Sequence, residues 1–159
     1  MKFYFEVMKQ QEPGYSEKIK AAETLSEEYI AGISEVERKV RGAEIRQELH
    51  EISVSLREKM GIEVPGVLLC LLDIYEITRD EAMLQEVLDV VSGNLEQLEV
   101  SADSVKLLSY CYYYVEEEEC AERAGKMLRE LLEKAGEQPS SELTGALEVF
   151  REMTGDTAF

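Results

Sequence analysis

Four tyrosines within five consecutive positions are the most distinctive chemical feature of the sequence. They are Tyr110, Tyr112, Tyr113 and Tyr114. Tyrosine rings attract cations through their π faces, and the hydroxyl group adds a hydrogen-bonding handle. At about 100° per residue, a helix would point Tyr112 to one side and Tyr110, Tyr113 and Tyr114 to the opposite side. We therefore expect these last three rings to be candidate ligand contacts.

The residue types that carry most enzymatic chemistry are scarce. His50 is the single histidine and lies outside any HExxH motif, so we expect a surface or packing role for it. The three cysteines, Cys70, Cys111 and Cys120, lack CxxC spacing, and we expect free, reduced thiols. The sequence thus predicts no catalytic residue, no metal ligand and no cofactor. We expect a protein that is not an enzyme.

Charged residues cluster in two places. The four carboxylates from Glu116 to Glu119 follow the tyrosines after a single residue, Val115. They could bind a cation or a basic partner, but they also suit the positive N-terminal end of a following helix, which is the role we expect. A basic cluster that alternates with glutamates indicates a salt-bridged helix face. Its members are Arg38, Lys39, Arg41 and Arg46.

Composition restricts the class of protein. The 159-residue chain is 45% hydrophobic and 32% charged, as in globular helical proteins, and its formal net charge is −17. So acidic a chain repels phosphate backbones and anionic lipid surfaces, which argues against nucleic acid and membranes as partners. The longest apolar run, from Val67 to Leu72, is too short to cross a bilayer, and the N-terminus lacks the features of a signal peptide. We expect a cytoplasmic protein.

Two amphipathic helices must position the tyrosines. Leu108, Cys111, Tyr112 and Val115 follow the spacing i, i+3, i+4, i+7 that places them on one stripe of a helix. After the acidic run, the same spacing recurs. The members of this second stripe are Ala124, Met127, Leu128 and Leu131. Two such stripes predict an αα-hairpin that buries both of them.

The same pattern occurs more than once along the chain. Thirty-seven residues before Leu108 lies a similar first stripe of Leu71, Ile74 and Tyr75, followed by a second stripe of Leu84, Val87, Leu88 and Val91. The stripe of the first helix occurs a third time thirty-five residues after Leu108. Its members are Leu143, Ala146, Leu147 and Phe150. Its helix has no partner after it, and such an unpaired last helix could cap a stacked array.

The N-terminal third is harder to assign. Residues 1–15 alternate as in a strand, but we expect an irregular or short helical arm. From residue 16 to 60 the pattern is helical, with apolar residues in alternating steps of three and four, a heptad-like seam. Its members are Ile19, Ala22, Ser26, Tyr29, Ile33, Val36, Val40 and Ala43. This segment could be one long helix, but Ser34 and Glu37 have capping-box spacing, and a hairpin suits the array better.

The predicted fold is therefore all-α. It consists of antiparallel helical hairpins at about 16–60, 65–93 and 101–135 and a terminal helix at 141–154, stacked as a short α-solenoid in a single domain, 16–159. Helix pairs with these residue types resemble tetratricopeptide (TPR-like) repeats over about residues 64–153. Leu108, Cys111, Tyr112 and Val115 match first-helix positions, and Ala124, Leu128 and Leu131 match second-helix positions. The resemblance implies a scaffold that binds another polypeptide.

In such an array the far side of each first helix lines a concave surface. The positions that correspond to Tyr110, Tyr113 and Tyr114 on the neighbouring first helices include Asp73, Glu76 and Glu148. The sequence therefore predicts an aromatic and acidic groove that binds a basic peptide or partner segment. The tyrosines could instead be covered by the N-terminal helices or by a second copy of the chain, as a dimer.

Two other functions remain open at this stage. One is a small acidic chaperone or escort protein that sequesters a helix of its partner. The other is an enzyme whose site lies at an oligomer interface, which we consider the less favoured alternative.

Overall fold

A computed structural model describes residues 34–37, 39–40, 43–44, 47, 50–51, 65–79 and 81–156, without the side chains at 70, 73, 74, 77 and 78. These residues form helices and connecting turns, and none of them is in a strand, which confirms the all-α prediction. They fall into two compact units, divided between Val90 and Val91. The arm predicted at 1–15 and most of the hairpin predicted at 16–60 lie outside the described residues.

The described residues 35–37, 39–40, 43–44, 47 and 50–51 are helical, and Ser34 directly precedes the first of them. The Ser34 hydroxyl accepts a hydrogen bond from the backbone N–H of Glu37, at 3.3 Å. A serine side chain bonded three residues ahead is the usual N-cap arrangement, because the first N–H groups of a helix have no partner within it. The spacing of Ser34 and Glu37 in the sequence therefore marks a helix start.

Helices α1 (Pro65–Thr78) and α2 (Glu81–Gly93) follow in the first unit, with the last turn of α2 crossing into the second. Proline suits the first turn of α1, where its missing N–H costs nothing. Its residues are apolar on nearly every side, and such a helix must be buried. Among the described side chains of α1, the buried apolar ones are Val67, Leu68, Leu69, Leu71, Leu72 and Tyr75.

The connection from α1 to α2 is organised around Tyr75. The backbone N–H of Arg79 donates to the carbonyl of Tyr75 at 2.7 Å, with Arg79 in the left-handed region at φ 55°. The guanidinium group of Arg79 lies 5.6 Å from the centroid of the Tyr75 ring, within cation–π range. The Tyr75 hydroxyl also donates to the carboxylate of Glu81 at 3.5 Å.

The second unit contains α3 (Ala102–Val115), α4 (Glu118–Ala135) and α5 (Ser141–Thr154). Serine caps begin two of these helices. The Ser101 hydroxyl accepts from the N–H of Ser104, and the Ser140 hydroxyl from that of Leu143, both at 3.2 Å. Gly136 and Gly155, both at positive φ, end α4 and α5. Glycine adopts this conformation without steric cost.

These three helices run up, down and up. Two residues, Glu116 and Glu117, connect α3 to α4, so short a link that the two helices must be antiparallel neighbours. At Gly125 of α4, an added Cβ would lie 3.6 Å from the Phe150 ring of α5. At Gly145 of α5, it would lie 3.7 Å from the ammonium group of Lys106 on α3. Helix α3 thus packs against both other helices, and it runs parallel to α5.

The core of the second unit follows the predicted stripes only in part. Leu108 and Cys111 of α3 are fully buried, as are Ala124, Met127 and Leu128 of α4. Tyr112 and Leu131 are only half-buried, and Val115, predicted to be buried, is 36% exposed. Val115 is the last residue of α3, and the chain turns at Glu116, which adopts a left-handed conformation at φ 55°. A periodic stripe does not show where its covering partner ends.

None of the helices in the described ranges is long and apolar enough to cross a bilayer.

Candidate functional site

The three candidate tyrosines lie in the last two turns of α3. Tyr113 is 56% exposed, and Tyr110 and Tyr114 are half-buried. The rings of Tyr113 and Tyr114 meet edge to face, with centroids 5.4 Å apart and planes inclined by 68°. Such pairs stabilise each other and fix the direction of both rings. We refer to Tyr110, Tyr113, Tyr114 and the exposed Val115 as the tyrosine surface.

The position of the tyrosine surface follows from the packing of α3. From Ser104 to Ser109 every side chain of α3 is buried, on all sides of the helix, and both α4 and α5 pack against α3. The buried hydroxyl of Ser109 is satisfied by the carbonyl of Val105 at 2.7 Å. Beyond Cys111 the burial stops, and the helix ends with large aromatic side chains near solvent. The packed first part of α3 therefore holds in place the C-terminal end of the helix, which carries the exposed tyrosine surface.

Four exposed carboxylates adjoin the tyrosine surface. Glu116 and Glu117 form the connection, and Glu118 and Glu119 lie in the first turn of α4. Glu117 is the N-cap residue but makes no side-chain cap hydrogen bond. We refer to these four glutamates as the acidic corner. Within the ranges that the structure describes, no group of three or more potential metal ligands converges, here or elsewhere.

The predicted carboxylates are distributed over both units. Glu148 is exposed on α5, the parallel neighbour of α3. Two pairs of residues set the offset between α3 and α5: Asp103 interacts electrostatically with Glu142, and Lys106 adjoins Gly145. The members of each pair are 39 residues apart in the sequence. The same offset places Tyr110 level with Val149, next to Glu148. Glu76 is half-buried on α1 in the first unit, and the side chain of Asp73 is not described. The structure thus brings Tyr113 and Tyr114 together, with α5 alongside.

A charged cluster near the start of α3 was not predicted from the sequence. Burial raises the pKa of the Asp103 carboxyl above its usual value, the nearby Lys106 lowers it, and the carboxylates of Glu142 and Glu99 raise it further. Lys106 itself is only 6% exposed and lies over Gly145. The i, i+3 spacing of Asp103 and Lys106 is a signal for their pairing, but the sequence does not show that α5 covers both.

The two described thiols do not resemble catalytic nucleophiles. Cys111 and Cys120 are free and buried, as predicted for both. Burial raises the pKa of Cys111 far above its usual range, with smaller contributions from Cys120 and Glu117. Burial, then Glu117 and Glu119, raises the pKa of Cys120 to about 11. Since the thiolate is the reactive form, such thiols are inert near neutral pH. The side chain of Cys70 lies outside the description.

His50 makes a specific contact in the first unit. Its Nδ1 atom is hydrogen-bonded to the carboxylate of Glu86 on α2. The His50 side chain is about half exposed, whereas that of Glu86 is more buried. The pair therefore joins the helical residue His50 to α2, a structural role that fits the expectation from the sequence.

A scan against protein-family models, a search of curated proteins and a search of solved structures found no match to this chain.

Proposed function

We propose that this chain is a protein-interaction module that binds a basic peptide segment on the tyrosine surface, beside the acidic corner. The observation that carries the proposal is the exposure of an ordered aromatic pair. Tyr113 leaves 56% of its surface in contact with solvent while its ring is held against Tyr114. Tyrosine offers a large, rigid contact area with few rotatable bonds, which is why it is enriched where proteins bind one another.

The charges around the tyrosine surface favour a cationic ligand. Lysine or arginine groups over exposed tyrosine faces contribute roughly 0.5–1 kcal/mol each. The four exposed glutamates of the acidic corner follow Val115 directly, so a cation at the rings also lies near carboxylates. The net charge of −17 attracts basic partners over longer distances and speeds their association.

The arrangement of α3, α4 and α5 supports the finer, TPR-like part of this proposal. In a repeat array, the first helix of a hairpin packs against the second helix of the same hairpin and against the first helix of the next hairpin. The two first helices run parallel to each other. Helix α3 has this relation to α4 and α5. The far side of α3 would then belong to the concave, ligand-binding face of the array.

The test is selection of ligands from an unbiased peptide-display library by the full-length chain. The proposal predicts enriched peptides that are rich in lysine or arginine. Binding of a selected peptide, measured by fluorescence anisotropy, should weaken on the order of tenfold in the double variant Tyr113→Ala/Tyr114→Ala. Enrichment of acidic or purely apolar peptides would contradict the proposal, as would unchanged affinity in the double variant.

A charge-matched control separates the acidic corner from the general acidity of the chain. Glu118→Gln/Glu119→Gln and Glu133→Gln/Glu137→Gln remove the same charge, all four carboxylates being exposed. Glu133 lies about 22 Å from Glu118 along α4, well beyond the screening length of about 8 Å at physiological salt. Only the first pair of substitutions should weaken peptide binding. Equal effects of both pairs would show that the peptide responds to net charge alone.

A further inference from the structure

The connection between α3 and α4 fixes one carboxylate-bearing residue close to the tyrosine surface. Glu116 adopts a left-handed conformation at φ 55°, and its backbone N–H donates to the carbonyl of Tyr112 at 2.7 Å. This hydrogen bond continues the ladder of α3 by one residue, so the backbone of Glu116 lies about one turn beyond those of Tyr112 and Tyr113. Within the described part of the chain, the exposed Glu116 carboxylate makes no hydrogen bond or ion pair.

The other members of the acidic corner are less closely tied to the rings. The Glu117 carboxylate accepts a weak hydrogen bond from Sγ of Cys120 at 4.0 Å, and Cys120 is buried. Glu117 is therefore directed toward the packed connection of the two helices. Glu118 and Glu119 lie in the first turn of α4, further along the chain. Glu116 is thus the carboxylate whose backbone is held by the same helix as the tyrosines.

The Tyr113 ring is free to take a second flat group against it. More than half of this side chain is in contact with solvent, at 56% exposure, and its edge-to-face contact with Tyr114 fixes the direction of the ring. A ligand group that uses both Tyr113 and Glu116 must stack on a ring and also donate hydrogen bonds to a carboxylate about one helical turn, roughly 5 Å, away. These two requirements restrict the kind of cation that fits.

Arginine and lysine carry the same charge but differ in both respects. The guanidinium group of arginine is planar and weakly hydrated, so it stacks on aromatic rings, and the N–H groups at its edge form a fork that matches a carboxylate. The ammonium group of lysine is compact and strongly hydrated, and it acts as a point charge. Only the guanidinium group can lie flat on a ring while its edge reaches a neighbouring carboxylate.

We infer that the tyrosine surface selects arginine over lysine, with the guanidinium group stacked on Tyr113 and its N–H groups donating to the Glu116 carboxylate. The inference rests on the proposed function, because it names the basic side chain that this surface binds. The net charge of −17 attracts both cations equally and does not distinguish them. A preference for arginine therefore reports the local arrangement of ring and carboxylate.

The test compares two peptides of equal length and equal charge, one with arginine and the other with lysine at every basic position. Each is titrated with the full-length chain at physiological ionic strength, and binding is followed by fluorescence anisotropy. We expect the arginine peptide to bind on the order of tenfold more tightly. The readout is the ratio of the two dissociation constants, in which long-range attraction cancels.

Four single substitutions assign the ratio to its two partners. Glu116→Gln removes the carboxylate, and Tyr113→Leu removes the ring; each should bring the ratio to within about twofold of one. Tyr113→Phe keeps a ring on which guanidinium can stack, and Glu133→Gln removes an exposed carboxylate far along α4. Both of these variants should keep the ratio of the unmodified chain.

The outcomes separate this inference from the proposed function. Equal affinities for the two peptides, both still weakened in Tyr113→Ala/Tyr114→Ala, would overturn the selection of arginine and leave the proposed function standing. Binding of neither peptide would overturn both. A ratio that survives Glu116→Gln or Tyr113→Leu, or that is lost in Tyr113→Phe or Glu133→Gln, would show that the selection does not arise from this ring and this carboxylate, which also contradicts the inference.

Discussion

The Asp103 carboxyl group shows how one residue couples the stability of the second unit to pH. Its pKa in the folded chain lies above the ordinary value of 3.8, so folding favours the protonated form. The stabilising effect is complete below about pH 3.8 and is lost as the pH rises through the folded value. At neutral pH the half-buried carboxylate, near Glu142 and Glu99, is left charged at a cost.

Asp103→Asn therefore should raise the free energy of unfolding at neutral pH. The amide keeps the shape of the carboxyl group but carries no charge to desolvate. Urea denaturation at a series of pH values should show the gain shrinking toward zero as the medium becomes acidic. A loss of stability at neutral pH would mean instead that attraction between Asp103 and Lys106 outweighs burial.

The thiols of Cys111 and Cys120 should resist alkylation in the folded protein. With a pKa of about 11, only roughly one Cys120 in a thousand is a thiolate at pH 8, and Cys111 is more deeply buried. In a Cys70→Ser variant, iodoacetamide should label neither residue until denaturant is added, as read by intact-mass spectrometry. Rapid labelling of the native variant would show that α3 and α4 open readily at their connection.

Single residues were predicted well where local chemistry decides their structure. Ser34, predicted from its capping-box spacing to Glu37, directly precedes a helical segment because its hydroxyl satisfies a backbone N–H three residues ahead. Tyr112 and Val115 were predicted less well, because their burial depends on how far α4 extends beside the end of α3. That distance is set by the whole packed unit.

At the scale of the helix, two glycines on or after α4 respond oppositely to the same substitution. Gly125→Ala should stabilise the protein by roughly 0.5–1 kcal/mol, since alanine favours helix and its Cβ would meet Phe150 at an ordinary 3.6 Å. Gly136→Ala should destabilise by about 1 kcal/mol or more, because φ of +68° disfavours any Cβ. Thermal and urea denaturation measure both. A destabilising Gly125→Ala would indicate tighter packing of α4 on α5 than the structure shows.

Leu128 tests the packing of α4 into the second unit. Its side chain is fully buried, so Leu128→Ala should lower the free energy of unfolding by about 2–5 kcal/mol. Val115→Ala, at an exposed position, should change it by no more than about 0.5 kcal/mol. A cost below about 1 kcal/mol for Leu128→Ala, measured by urea denaturation, would contradict the assignment of this stripe to the core.

The helices themselves were largely predictable from the sequence. The stripes that begin at Leu71, Leu108 and Leu143 each fall within a helix of the structure, because apolar spacing of 3.6 residues reports directly which side must be buried. The burial of Ser104, Lys106 and Ser109 was not predictable in this way. Their polarity suggests a solvent-facing side, and their burial depends on how the packed elements surround α3.

At the scale of the whole molecule, the pattern of charges supports the proposed function more strongly than the fold does. An up-down-up helical unit serves many functions, so the fold alone does not select one. The feature that points to a ligand surface is the ordered pair Tyr113 and Tyr114 next to the exposed acidic corner. The sequence predicted these tyrosines as ligand contacts, but it could not show which ring is exposed and which is half-buried, since that depends on packing around α3.

The claim that the tyrosine surface binds a basic segment is tested most directly by an NMR titration. Isotope-labelled full-length chain is titrated with a short arginine-rich peptide, and amide shifts are followed residue by residue. We expect the largest shifts to cluster from Tyr113 to Glu119, to weaken as salt is added, and to disappear in Tyr113→Ala/Tyr114→Ala. Shifts spread over all acidic surfaces, or concentrated on another element, would contradict it.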